Sequence, residues 1–204
     1  MTLFNTLRQR LANGPLPGAA AQQTMAPKFR GTYATPPPSA RRASVLALLY
    51  PVQDELTLLF IQRTSPANDR HAGQISFPGG SVEDGDRDAE HTALRETEEE
   101  VGVDSSTVEI LGGLTPLYIP VSNFLVDPFV GYTPARPVFS LQESEVARIL
   151  ELPLRRFLTP DARQVGERKL VNGMKLKDTP FWAIDGEEIW GATAMMTGEL
   201  VALL

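Results

Sequence analysis

The stretch Gly79–Val103, which reads GGSVEDGDRDAEHTALRETEEEVGV, constrains the chain most strongly. Its centre, Arg95-Glu96-Thr97-Glu98-Glu99-Glu100, predicts a helix from about Asp88 to Val101. A helix turns about 100° per residue, so Glu99 falls about 60° to one side of Glu96 and Glu100 about 40° to the other. Three carboxylates therefore share one narrow face. Leu94, Thr97 and Val101 cluster elsewhere on the wheel and are expected to face a core, while Glu98 points away from the trio. Two unit charges ~5 Å apart repel by roughly 3 kcal/mol at an effective dielectric near 20, so a positive species is expected there. All the donors are hard oxygens and the chain has no cysteine, a combination that selects Mg²⁺ or Mn²⁺ over softer metals. Arg95 precedes Glu99 by one helical turn and is placed to pair with it.

A bare glutamate cluster is more often a solvated helix face. Here the surroundings argue for a site. Phe77-Pro78-Gly79-Gly80 predicts a turn whose backbone can approach a ligand closely, and Gly102 stands where a left-handed helix cap is wanted. The stretch resembles the Nudix box, G-x5-E-x7-R-E-U-x-E-E-x-G-U with U apolar. Gly80, Arg95, Glu96, Glu99, Glu100, Gly102 and Val103 match it. Asp86 replaces the first glutamate, one extra residue separates it from Arg95, and Thr97 replaces the apolar residue. The resemblance implies an α/β fold, a Nudix-like α/β/α sandwich with a mixed β-sheet between helices. It implies hydrolysis of a nucleoside diphosphate linked to another moiety, assisted by Mg²⁺ or Mn²⁺. Glu96 and Glu100 are then metal ligands, with Glu99 a further ligand or the base, and Arg95 holding Glu99. The Gly79 or Gly80 carbonyl would complete the metal shell. Glu143 or Glu145, in a predicted later helix over 143–150, is the alternative base.

Outside the box, Leu58–Gly80 reads LLFIQRTSPANDRHAGQISFPGG. This resembles the additional signature of the coenzyme A pyrophosphatase subfamily, L-L-T-x-R-[SA]-x3-R-x3-G-x3-F-P-G-G, through Leu58, Leu59, Arg63, Gly73 and Phe77–Gly80. The spacings from Phe60 to Arg63 and from Arg63 to Gly73 are each one residue longer than the pattern, Asp69 stands at the second arginine position with Arg70 one residue late, and Phe60 replaces the threonine. Phe181-Trp182 and Ile189–Ala194 also resemble this subfamily. The implied substrate is coenzyme A, cut to 3′,5′-ADP and 4′-phosphopantetheine, with Arg63 and Arg70 beside the glycines taking phosphate oxygens bidentately. The alternative for these arginines is surface pairing with Asp69 or Asp86. Other readings are a different diphosphate substrate (ADP-ribose, NADH, a dinucleoside polyphosphate) or a nucleotide-sensing module without turnover. A Nudix-fold isomerase would call for a cysteine, and none is present.

The remaining sequence sets bounds. Six basic residues precede the first acidic one, Asp54, and the net charge is −6, which argues against a nucleic-acid duplex as partner. No apolar run reaches membrane-span length, and a cytoplasmic enzyme is expected, with a homodimer as an option. Residues 1–41 are read as a basic, proline-rich N-terminal arm, helical over 3–12 and otherwise extended, packed on the domain or on a second subunit. A transit peptide is the competing reading of that segment. The Nudix domain is expected over 42–204. Within it, Ser44–Pro51 and Leu56–Arg63 predict a buried strand pair, and Gln74–Phe77 a short strand. Thr107–Tyr118 and Phe124–Thr133 predict two further strands. Arg168–Leu176 and Phe181–Ile184 predict a late pair around Asn172-Gly173, and Ile189–Leu204 a C-terminal helix.

Overall fold

The computed structural model describes residues 2–27, 35–64, 73–169 (the side chain of Lys169 excepted) and 175–204. In chain order the elements are α1 (Leu3–Asn13), α2 (Gly18–Gln23), β1 (Arg41–Val52), β2 (Glu55–Arg63), β3 (Ile75–Ser76), β4 (Gly79–Ser81) and α3 (Ala89–Val101). There follow β5 (Glu109–Gly113), β6 (Leu117–Ile119), β7 (Phe124–Tyr132), β8 (Val146–Pro153), β9 (Arg163–Lys169), β10 (Lys175–Ile184), β11 (Glu187–Trp190) and α4 (Gly191–Ala202).

β1 is the spine of a mixed sheet. It runs parallel to β7 on one side, and on the other it pairs antiparallel with β2 near Leu49–Val52 and with β4 near Ala43–Val45. The β1–β2 hairpin turns on Gln53 and Asp54, both in the left-handed region (φ 48° and 66°) that a tight hairpin requires. Successive side chains of β1 point to opposite faces. Leu46, Leu48 and Tyr50 pack with Ala93 and Val101 of α3. Ala43, Ala47 and Leu49 pack with Leu7 of α1 and with Ala194, Met195 and Leu200 of α4. The sheet is thus buried on both faces between helices, the expected α/β/α sandwich. A separate antiparallel sheet, β11-β10-β9, joins the α4 side. An aromatic chain links it to the centre: Phe77–Phe60 (4.9 Å), Phe60–Phe157 (6.0 Å) and Phe157–Trp182 (5.6 Å).

Several expectations change. Residues 143–150 are not a helix. A turn ends at Glu145 and β8 begins at Val146, pairing with β2 from Thr57 to Arg63. Val146, Ile149 and Leu150 suit a helix spacing, but the open edge of β2 offers a full ladder of hydrogen bonds, and that pairing wins. The segment after Pro17 is not wholly extended, because Ala19–Gln23, made of good helix formers, closes the short α2. The glycine turn is itself strand β4. The strand expected over Thr107–Tyr118 is two strands, β5 and β6, separated at Leu114–Pro116. β11 precedes the C-terminal helix, which starts at Gly191. Asn172-Gly173 lies outside the described residues.

The helices α1 and α2 pack on the rest of the described chain. Arg8 of α1 pairs with Glu109 on β5 (2.5 Å). The fully buried Glu199 of α4 accepts from Gly18 N (3.0 Å), Gln22 Nε2 (2.7 Å) and Thr115 Oγ1 (2.7 Å). Among the described residues no helix is long and apolar enough to cross a membrane.

Candidate active site

The site is built on α3 and the β4 strand beside it. Asp88 caps the helix, its carboxylate accepting from His91 N (2.8 Å). Gly102 ends it in the left-handed conformation, φ 73°. Thr97 is buried, and its hydroxyl donates to Ala93 O (2.7 Å), which lets a threonine serve where an apolar residue is usual. Glu98 is turned from the trio and accepts from Ser105 N.

The three glutamates of the acidic face are not equivalent. The Glu100 side chain is 2% exposed and that of Glu99 53%; Glu96 lies between, at 14%. Glu100 Oε2 accepts from Gly79 N (2.8 Å), and Arg63 Nη1 stands 3.7 Å from its other oxygen. The Glu96 carboxylate fills the space that a side chain at Gly80 would take, since a Cβ there would lie 2.5 Å from it. The two glycines thus have different reasons. Gly80 leaves room for Glu96. Gly79 has φ 150° and lies so close to β1 that a Cβ would sit 2.3 Å from Ser44 O.

The cation beside the trio is a guanidinium. Arg95 Nη1 donates to both Glu96 Oε1 and Glu99 Oε2, each at 3.1 Å. Its Nε and Nη2 hold Asp86 bidentately at 2.9 Å each, and Nη2 also reaches Ser81 O (3.1 Å). Asp86 is therefore the anchor of Arg95. The sequence places Asp86 at the first acidic position of the box and offers it as a surface partner for Arg63 or Arg70; its pairing with Arg95 was not expected. Thr92 Oγ1 and Glu83 N also donate to Asp86, and His91 Nδ1 lies 3.0 Å from it. The Arg95 guanidinium holds the Asp86 carboxyl well below the usual carboxylate range, against the opposing effect of burial.

Arg95 and Arg63 compensate the charge of the trio only in part. Burial pushes the Glu100 carboxyl up to about 7; the charges of Glu96 and Glu145 add to this, while Gly79 N–H and Arg63 oppose it. Burial also raises Glu96, with Glu99 and Glu145 adding and Arg95 opposing. Glu145 arrives here because the chain after β7 hangs from the end of α3. Ser140 N donates to Val101 O and Gln142 N to Glu100 O, satisfying carbonyls left free at a helix C-terminus. Thr64, next to Arg63, then binds the turn through Thr64 N to Glu145 O (2.8 Å) and Thr64 Oγ1 to Ser144 O (2.8 Å). The charge of Glu145 is felt at both Glu96 and Glu100; Glu143 is exposed on the same turn. Arg70 and His71 lie outside the described residues.

Among the described residues no group of three acidic or histidine side chains is assembled as a ready metal cage. Glu96 and Glu100 nevertheless suit a hard divalent cation. Both are oxygen donors, both are raised by burial, and they stand beside a strand that approaches closely. Glu99 meets Arg95 through Oε2.

A NUDIX domain family model matches residues 40–163 of this chain. The chain belongs to the NUDIX family. Its box is the β4–α3 unit just described, with the Nudix arginine held by Asp86. Over 119 residues the chain is 42% identical to the "Uncharacterized Nudix hydrolase NudL" of Yersinia pestis (strain Pestoides F), a match covering 58% of each. The same figures hold for the protein of that name from Yersinia pseudotuberculosis serotype O:1b (strain IP 31758). The match thus spans 58% of the length of these curated relatives. Among solved structures, the NUDIX domain of Shewanella oneidensis NrtR complexed with ADP ribose aligns at a TM-score of 0.47. It is 19% identical, with 64% of this chain and 84% of that one covered.

Proposed function

We propose that this Nudix protein is a pyrophosphohydrolase of nucleoside diphosphate derivatives, and that its substrate is coenzyme A, cut to 3′,5′-ADP and 4′-phosphopantetheine. The observation that carries the hydrolase reading is the pairing of α3 carboxylates with β4 glycines: Glu100 bound by Gly79 N–H and Glu96 seated against Gly80. Resemblance to the coenzyme A signature supports the substrate, and Arg63 supplies a cation next to Glu100.

Mg²⁺ or Mn²⁺, when bound, would offset charge developing on the diphosphate and lower the pKa of a water. Glu96 and Glu100 would hold it, with Glu99 either a further ligand or the base, and the Gly79 or Gly80 carbonyl completing the shell. The protein's own groups do the rest. Gly79 N–H and the rigid β1–β4 ladder fix Glu100. Arg95, locked by Asp86, restrains Glu96 and Glu99. As the base, Glu99, the most exposed of the trio, would take a proton from water. Glu145 or Glu143 on the neighbouring turn is the alternative base, and Glu145 is favoured because its charge reaches the trio. Arg63, with Arg70, takes phosphate oxygens of the substrate.

The test is a side-by-side assay of coenzyme A, ADP-ribose, NADH and a dinucleoside polyphosphate with Mg²⁺ and Mn²⁺, with products identified in ¹⁸O water. Coenzyme A should give the highest kcat/KM, with label in one product. A preference for ADP-ribose would overturn the substrate, and no turnover of any compound would favour a sensing module.

A further inference from the structure

Ser44, in the middle of the spine strand, has a side chain that the proposed chemistry does not yet use. It is 0% exposed, and its Oγ has no hydrogen-bond partner. Strand alternation puts it on the face of Leu46, Leu48 and Tyr50, the face that packs beneath α3. In the β1–β4 ladder Ser44 lies directly opposite Gly80. Side-chain positions so paired are about 4.5–5.5 Å apart on one face. The side-chain space of Gly80 is filled by the Glu96 carboxylate. The orphaned hydroxyl is therefore the strand position next to that carboxylate.

The donors around Glu96 are few. Arg95 Nη1 reaches Oε1, while Nε and Nη2 of the same guanidinium are committed to Asp86. Among the described residues no hydrogen bond is made to Glu96 Oε2. Asp127, the neighbour of Ser44 in β7, is engaged by Arg42. A serine hydroxyl rotates freely to meet an acceptor. Carboxylates that bind metals are characteristically oriented by a hydrogen bond from behind.

We propose that Ser44 is a positioning residue for Glu96, its hydroxyl donating to the Glu96 carboxylate when that group turns from Arg95 to a divalent cation. This accounts for a fully buried hydroxyl without a hydrogen-bond partner, a group that by itself lowers stability. The inference rests on the proposed use of Glu96 as a metal ligand. It predicts opposite effects of one substitution on two properties, which a packing role does not.

The experiment is calorimetric titration of the full chain with Mn²⁺ alone, together with thermal unfolding of the metal-free form, for wild type, S44A, S44C and E100Q. The cysteine keeps the side-chain volume but is a weak donor. S44A and S44C are expected to weaken Mn²⁺ binding about tenfold or more, while the metal-free unfolding temperature of S44A stays level or rises. Unchanged Mn²⁺ affinity in S44A, with wild type binding and E100Q not, would overturn the role of Ser44 and leave the proposed function standing. A loss in S44A that S44C restores would assign Ser44 to packing and overturn the inference. Absence of Mn²⁺ binding by wild type would overturn both.

Discussion

Gly79 N–H donates to Glu100 Oε2 at 2.8 Å, so a strand amide holds the most buried carboxylate of the helix. Gly80, one residue on, makes room for Glu96. The two glycines act on neighbouring glutamates by different physics, and substitutions should separate them. G80A needs no unusual backbone angle; the atoms nearest its methyl are those of the Glu96 carboxylate. It should leave the unfolding temperature within a few degrees while reducing turnover about 100-fold by displacing Glu96. G79A demands φ 150° of an L-residue and puts a Cβ against the β1 backbone; it should cost roughly 3 kcal/mol or more. Denaturant titration and initial rates on both variants check this.

The Asp86–Arg95 pair makes the second prediction. Asp86 is 1% exposed, and removing one partner of a buried, bidentate pair should destabilise by roughly 3 kcal/mol. D86N should show this loss at neutral pH and lower activity by freeing Arg95 from its anchor. The pair also sets an acid response. The Asp86 carboxyl is depressed below its ordinary 3.8 by Arg95, so between those two values the unfolded chain binds more protons than the folded one. The stabilisation is complete above about 3.8 and disappears as pH falls through the lower folded value. The stability gap between wild type and D86N should therefore narrow only in strong acid. A gap that closes near neutrality would contradict the assignment.

Glu199 gives a prediction with no functional content at the site. Its carboxylate joins Gly18, Gln22 and Thr115, which fixes α2 to α4 and to the connection between β5 and β6. E199A removes the acceptor of Gly18 N–H and the Thr115 hydroxyl, while Gln22 Nε2 keeps Thr115 O, and should cost roughly 3 kcal/mol. Activity per folded molecule should stay at the wild-type level, measured by active fraction after mild denaturant titration.

The parts legible in the sequence were those specified locally. The acidic face, the glycine cap at Gly102 and the β1–β2 hairpin each follow from neighbouring residues, and each is present. β8 was not legible, because Val146–Leu150 fits two periods and only the distant edge of β2 decides between them. β11 was hidden by the apolar run into α4, although Asp185-Gly186, both with positive φ, marked the hairpin before it. At the site, helix geometry gave the shared carboxylate face. It also gave the Arg95–Glu99 pair, but not the grip of Asp86 on Arg95, which depends on how the loop before the helix folds back. Nor did it rank the glutamates by burial, which β4 and the 142–145 turn determine.

The central claim is that a divalent cation is held between α3 and β4. Anomalous diffraction from crystals grown with Mn²⁺ measures this directly. The account predicts one strong peak at about 2.0–2.2 Å from carboxylate oxygens of both Glu96 and Glu100, beside the Gly79–Gly80 strand, and its loss in E100Q. A peak elsewhere, or none at Mn²⁺ concentrations that support turnover, would contradict it.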